Sequence, residues 1–284
     1  MTGGTRSGRA GMALVLVLWV ITLLTVIAAS FSLGVRRDAG LAHHLTQAAV
    51  AEAAAEAGLR LAMLGLSNPD PNQRWNSGDG VRSLSWQGVQ LEVSVVAETG
   101  RVDLNHAGAA LLDGLLAAVG VEDPARREGI VAQIRDWRDT AAGTRPQGLS
   151  PADYRALGYP YGPANSPFRA TEELLLLSGV DPDLFRRLQP LVTTYSGQPD
   201  VDPRHAPFEV LLALPGMDAA AARTLLEERE AAGERLVAND SDVHTVISVA
   251  HVPSGARAGV RAVLRTSDEQ DAEPFRIVHF RPAR

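Results

Sequence analysis

Two histidines stand at matched positions in this chain. His106 lies in "VDLNHA", starting at Val102, and His205 in "VDPRHA", starting at Val201. A pair of imidazoles brought together could hold a metal ion. The shared pattern V-D-x-x-H-A also puts each histidine just ahead of a Leu-rich helix, where a side chain can satisfy orphaned backbone groups. The repeat by itself explains the equivalence, so the hydrogen-bonding role is preferred. His43 and His44 lie on the helix just beyond a long apolar run. No Ser-His-Asp set occurs at a recognisable spacing, and neither a phosphate loop nor H-E-x-x-H occurs at all. With no cysteine in the sequence, disulfide frameworks and thiol chemistry are excluded. Trp137 and Tyr159-Pro160-Tyr161 read as core, because four Tyr and six Phe are too few for an aromatic binding stripe.

One further stretch has a chemical reading. "LPGMDAAAARTLL", from Leu214, resembles a helix-hairpin-helix module, in which glycines let backbone N–H groups cradle a DNA phosphate. Asp218 replaces the second glycine, and the equivalent turns carry Glu122-Asp123 and Asp181. These carboxylates would repel phosphate. The formal net charge of −6 lacks the basic footprint that nucleic acid requires. A packing role is expected instead, with no nucleic acid partner.

The elements that carry these residues begin with the apolar run from Met12 to Val35, two dozen residues without a charge. A secretory core of about 7–15 residues is shorter, and about 20 residues suffice to cross the hydrocarbon layer. Length therefore predicts an anchor. No small-residue cleavage site followed by a turn appears after it, since Ala28, Ala29 and Ser30 lie inside the span. Arg6 and Arg9 before the run are balanced by Arg36 and Arg37 after it, so charge leaves orientation open. The helical pattern continues through "LAHHLTQAAVAEAAAEAGLRLAMLGL", where Leu41, Leu45, Ala48, Ala55, Leu59, Ala62 and Leu66 draw one stripe. One helix from Met12 to Leu66 is predicted, ended by Ser67-Asn68-Pro69.

Alternation then takes over. Leu84, Trp86, Val89, Leu91, Val93 and Val95 predict strands with a hairpin turn at Gln87-Gly88, and Val102 and Leu104 a further short strand. From Ala107 to about Arg235 the pattern is helical, with units that turn at Gly120, Gly179 and Gly216, each expected at φ > 0. Strands return at Val243–Val249, Val260–Leu264 and Ile277–Phe280. If the strands share one sheet, the helical block is an insertion and the class is α+β.

At this point the residues resemble a family: minor pseudopilin K of bacterial type II secretion systems (general secretion pathway protein K). The leader "RSGRAG" before "MALVLVLWVITLLTVIAASF" is similar to a prepilin signal. "IRDWRDTAAGTRPQG" followed by "DYRALGYPYGPANSPFRATEELLLLSGV" resembles the family's D-W-x-D … P-Y-x-x-x-N-x-P-F-x-x-x-E-E-L segment. "VDLNHA" and "VDPRHAPFEVLLALPGM" resemble its V-N-x-N-T-A-P repeats, and "PFRIVHFRP" its closing strand.

The resemblance implies a pilin-like fold, a long N-terminal helix on an antiparallel sheet, with a large all-helical domain of helix–turn–helix repeats inserted between strands. It divides the chain into a prepilin leader (1–11), a transmembrane helical part (12–35), a periplasmic helical part (36–66), strands (81–104), the insertion (105–239) and C-terminal strands (240–284). It implies cleavage by the prepilin peptidase between Gly11 and Met12 and N-methylation of Met12. Leu16 becomes the fifth mature residue, where most pilins carry a Glu that pairs with a neighbour's terminal amine. An unpaired carboxylate in lipid costs a few kcal/mol, and a tip subunit has no neighbour above it, so Leu16 marks a tip subunit.

The implied function is that of a minor pseudopilin at the pseudopilus tip, initiating assembly and supporting export across the outer membrane, without catalysis. The implied partners are minor pseudopilins I and J, the major pseudopilin, the prepilin peptidase and the inner-membrane assembly platform, and beyond these the secretin and exported substrate. The implied location is the bacterial inner membrane, single-pass, with the C-terminal domain in the periplasm. A minor pilin of a type IV pilus or DNA-uptake system is the alternative, disfavoured by Leu16 and the helical insertion.

Family members bind calcium on the inserted domain, and Asp136, Asp139 and Asp153 are the carboxylates this chain offers. Calcium takes six to eight oxygen ligands. "TAAGTRPQGLSPA" has no acid where relatives place further Asp and Glu. Either the site is weakened or carbonyl oxygens complete it, and no cofactor is required.

Overall fold

Nothing from Gly8 to Leu66 interrupts a helix: the segment holds no proline and is dense in Ala and Leu. A computed structural model shows it as one helix, α1 (Gly8–Leu66), of 59 residues, about 88 Å at 1.5 Å per residue. The structure describes residues 8–70, 72–78, 80–140, 145–232, 241–267 and 274–283. Helix α1 starts ahead of Met12, so Gly11 and Met12 both fall within it. The end at Leu66 is as expected, with the Ser67 amide closing the last turn on the Met63 carbonyl.

After α1 come β1 (Val81–Trp86) and β2 (Val89–Ala97), joined by Gln87 and Gly88 with φ of 49° and 81°. Positive φ at both central residues is the two-residue hairpin turn whose twist matches the strands. The chain then leaves the sheet. It forms β3 (Val102–Asp103), α2 (Ala109–Ala118), α3 (Pro124–Arg138), α4 (Pro151–Ala156), a 3₁₀ turn over Thr171–Leu176, α5 (Pro182–Leu188), β4 (Val192–Thr193), α6 (Phe208–Leu212) and α7 (Ala219–Ala232). It returns through β5 (Val243–His251), β6 (Arg257–Thr266) and β7 (Phe275–Ala283). The five long strands make one antiparallel sheet in the order β1-β2-β5-β6-β7. The helical block thus leaves from β2 and returns to β5, two strands that pair directly.

Two expectations need correcting here. The segment 81–104 divides at Ala97: Val102 and Asp103 pair in parallel with Val192 and Thr193 as a separate two-stranded sheet. The inserted domain is therefore not all-helical. Parallel strands need a long crossover, and the chain from α2 through α5 supplies it.

The described residues form two cores. One lies between α1 and the sheet, where Ala51, Ala54, Ala55, Leu59, Ala62 and Leu66 meet Leu91, Val93, Val246 and Ala262. Leu41, Leu45 and Ala48, expected on the same stripe, are exposed. The sheet reaches only as far as the turn after β5, where Ser254 Oγ donates to Gln47 Oε1 at 2.8 Å, and α1 runs on past it. The other core fills the insertion with Leu112, Leu115, Ile130, Ile134, Leu174 and Leu184 among others.

Gly120 and Gly216 take positive φ, 86° and 76°, after α2 and α6. Gly179 does not. There the glycine admits α3: a Cβ would lie 2.7 Å from Ile130 Cγ1. Its role is close packing.

Candidate functional site

The motif segments of the insertion converge on the C-terminal end of α3. Trp137 is buried, stacks on Phe168 at 6.1 Å between ring centres, and donates its indole N–H to Glu173 Oε2 at 2.9 Å. Glu173 Oε1 also accepts the Arg169 amide at 2.8 Å. Asn105, from "VDLNHA", clamps the Phe168 backbone, accepting its N–H at 2.7 Å and donating to its carbonyl at 3.0 Å. Arg138 donates to the carbonyls of Leu104 and Ala107 at 2.6 and 2.9 Å. Three stretches far apart in sequence are thereby locked together. Trp137 is core, as expected, whereas Tyr159 and Tyr161 are only half-buried and Pro160 is exposed. The two rings cluster with buried Tyr154, centres 5.3 to 5.8 Å apart, and burial pushes the Tyr154 phenol up to about 12.

Asp136 and Asp139 meet at this end of α3, and Arg145 lies between them. Asp136 is 6% exposed. Its Oδ1 accepts Arg145 Nη1 at 2.5 Å, and its Oδ2 accepts the Arg145 backbone amide at 3.2 Å. Asp139 Oδ2 accepts Arg145 Nη2, and its Oδ1 accepts Arg138 Nε at 3.3 Å. Burial lowers the Arg145 pKa, but hydrogen bonds to Asp136 and Asp139 and the charges of both outweigh it, so the net change is upward. Asp153 is elsewhere. It completes a capping box at the start of α4, accepting from the Ser150 hydroxyl at 2.6 Å and the Ser150 amide at 2.8 Å, which lowers its pKa.

Among the described residues no group of three or more His, Asp or Glu is placed to hold a metal ion. The carboxylates of Asp136 and Asp139 each already face a guanidinium, and Asp153 is committed to a helix cap. A calcium ion does not fit these residues. Sequence reading missed both arginines. The signal was present in the lone Arg145 within the acid-free stretch, but its reach back to α3 depends on tertiary structure.

The matched histidines also find their places. In each repeat the Asp opens a turn on its own chain: Asp103 Oδ1 accepts the Asn105 amide at 2.8 Å, and Asp202 Oδ1 the Arg204 amide at 2.9 Å. His106 Nδ1 lies 3.1 Å from Asp103 Oδ1. His205 Nδ1 lies 3.1 Å from Ser77 Oγ in the loop after α1. The two histidines serve different contacts and do not form a pair in any metal-holding group. The acids of the hairpin turns cap helices: Asp123 accepts the Ala125 amide at 3.0 Å, Asp181 the Leu184 amide at 2.8 Å and Asp218 the Ala221 amide at 2.8 Å. A carboxylate thus occupies each helix N-terminus that a phosphate would need.

Gly11, Met12 and Leu16 lie far from this knot, along the N-terminal part of α1. Leu16 is exposed, within a helix long and apolar enough to cross a membrane. Leader positions 1–7 and the segment 141–144 lie outside the described residues.

An antiparallel sheet on a long, partly apolar N-terminal helix, with a domain inserted between two paired strands, is the arrangement that the resemblance implies. Residues 90–200 match the family model for protein K of the type II secretion system. Type II secretion system protein K of Pectobacterium carotovorum subsp. carotovorum is 39% identical over 71 residues, covering 25% of this chain and 22% of that protein. The matched stretch is thus about a fifth of that relative's length. The fold is similar to a chain in the crystal structure of the GspK-GspI-GspJ complex of the enterotoxigenic Escherichia coli type 2 secretion system. Its TM-score is 0.58 at 17% identity, covering 88% of this chain and 99% of that chain. The resemblance to the protein K family stated from the motifs is borne out by these findings.

Proposed function

We propose that this protein is a minor pseudopilin at the tip of a type II secretion pseudopilus. It forms a complex with minor pseudopilins I and J, initiates assembly of the fibre and so supports protein export across the outer membrane. The observation that carries this reading is the division of α1. Its first half is an exposed apolar span, and its second half is fixed to a sheet that bears a wide insertion. Such a subunit has a pilin shaft at one end and, at the other, a head too broad for the interior of a fibre.

Three features support the partner set. Leu41 and Leu45 are 60% and 62% exposed on the part of α1 that neither the sheet nor the apolar span covers, a surface suited to packing against other pilin helices. Leu16 needs no terminal amine from a subunit above. The structural neighbour is a complex of K, I and J. In this reading the prepilin peptidase cuts after Gly11 and methylates Met12, the assembly platform and major pseudopilin extend the fibre below, and the head faces the periplasm, toward the secretin and the exported substrate. The type IV pilus or DNA-uptake alternative is disfavoured by Leu16 and the insertion, and the carboxylates at the N-termini of α3, α5 and α7 would repel a nucleic acid backbone there.

Purification of the detergent-solubilised full chain, co-expressed with pseudopilins I and J of the same system, tests the reading. Co-elution in constant proportion through size exclusion is expected. Clean separation at micromolar concentration would contradict it.

A further inference from the structure

Asp136, 6% exposed, poses an electrostatic problem. A carboxylate this deeply buried needs a cation or several donors close by, because an unpaired buried charge is strongly destabilising. We propose that in this chain the guanidinium of Arg145 is the built-in cation that closes the 145–150 segment onto α3, so that this part of the insertion folds without calcium.

The geometry is specific. One guanidinium bridges two carboxylates, with Nη1 on Asp136 and Nη2 on Asp139, and the backbone amide of the same residue adds a further bond to Asp136. Arg138 supplies the second positive charge from the other side of Asp139, so two carboxylates meet two guanidiniums. Directly after Arg145 the chain turns, the Gly148 amide bonding the Arg145 carbonyl at 2.9 Å. This turn lies so close over the carboxylate that a Cβ at Gly148 would collide with Asp136 Oδ2. The space above Asp136 is thus filled by main chain and guanidinium. A divalent ion there would face a fixed positive charge a few ångströms away, and the acid-free stretch has no carboxylates to offset it. Arginine suits the task because its planar fork fixes one donor on each carboxylate, where lysine offers a compact charge on a flexible stem. The turn then feeds Ser150, the cap of α4 and the tyrosine cluster, so the ion pair orders one edge of the head.

The test is the thermal melting of the detergent-solubilised full chain in millimolar CaCl2 and in EDTA, for the wild type, Arg145→Ala, Arg145→Lys and the double variant Arg145→Ala/Asp136→Asn. The wild type is expected to melt at the same temperature in both buffers. Arg145→Ala is expected to melt on the order of 5 °C lower, Arg145→Lys to fall between the two, and the double variant to regain part of the loss because the orphaned charge is gone. If Arg145→Ala does not fold, Arg145→Lys carries the comparison. A wild type stabilised by calcium over EDTA would overturn the proposal, as would arginine variants as stable as the wild type. Neither result depends on co-purification with I and J, so this inference and the proposed function fail separately.

Discussion

His244 sits on β5 with 1% of its surface exposed, and burial, with a smaller contribution from the charge of His205, pushes its pKa down to about 4 from 6.5. A histidine lowered in the folded state is neutral there and takes up its proton more readily when unfolded. Its contribution is therefore fully present above pH 6.5 and is lost as pH falls toward 4. The loss amounts to at most about 3 kcal/mol. Melting temperatures from about pH 7.5 to 5 should fall, and His244→Asn should melt with a shallower dependence over that interval. An unchanged slope in the variant would show that His244 does not drive it. Such a residue is hard to find in sequence. "DVHTVISVA" alternates, but only the pairing of β5 between β2 and β6 reveals that its ring is enclosed. By contrast, the local turn at Asp103 is legible, because the V-D-x-x-H-A repeat fixes it through neighbouring residues, although His106 meets the Asp103 carboxylate and not the backbone of the helix that follows. The partners of Asp136 and Asp139 are not, since Arg145 reaches them across a loop.

At the scale of elements, much of the architecture follows from periodicity. The alternation of Leu84 to Val95 around Gln87-Gly88 specifies both strands and their turn, and the run to Leu66 specifies α1. What periodicity cannot say is which strand lies beside which, and so it groups β3 with the large sheet although β3 pairs with β4. Nor does it say where two elements touch most closely. Gly114 on α2 is such a point: a Cβ there would lie 2.7 Å from the Ala213 carbonyl oxygen and 3.0 Å from its Cα, just past α6. Main chain gives way less readily than a side-chain tip, so Gly114→Ala must push α2 off α6. A loss of about 1–3 kcal/mol is expected, the usual cost of overpacking, read from the denaturation midpoint. A variant as stable as the wild type would show that these helices shift apart freely. At Gly58 on α1 a Cβ would run into Ser248 Oγ, a side-chain tip, and a smaller effect is expected there.

Among the described residues, two packed bodies are joined by specific polar contacts. Glu98, buried where the chain leaves the sheet, accepts Thr245 Oγ1 at 2.5 Å and Arg101 Nη1 at 3.0 Å. Arg281 on β7 pairs with Glu172 of the insertion at 2.9 Å, and Arg265 Nη2 donates to the Tyr195 carbonyl at 3.1 Å. Each contact holds the head to the sheet, and the sheet holds the head to α1. A force or position imposed on α1 is thereby passed to the insertion, as the proposed role at a pseudopilus tip requires. For that to matter, α1 must remain with the protein after processing as a membrane anchor that can later join a fibre. The most direct measurement is the intact mass and N-terminal peptide of the protein purified from its native membrane. A chain beginning at N-methylated Met12 is predicted. A chain beginning at Met1, or cut after Ala29 or Ser30, would contradict it, because α1 would then be an ordinary anchor or a discarded signal and the head would have no shaft.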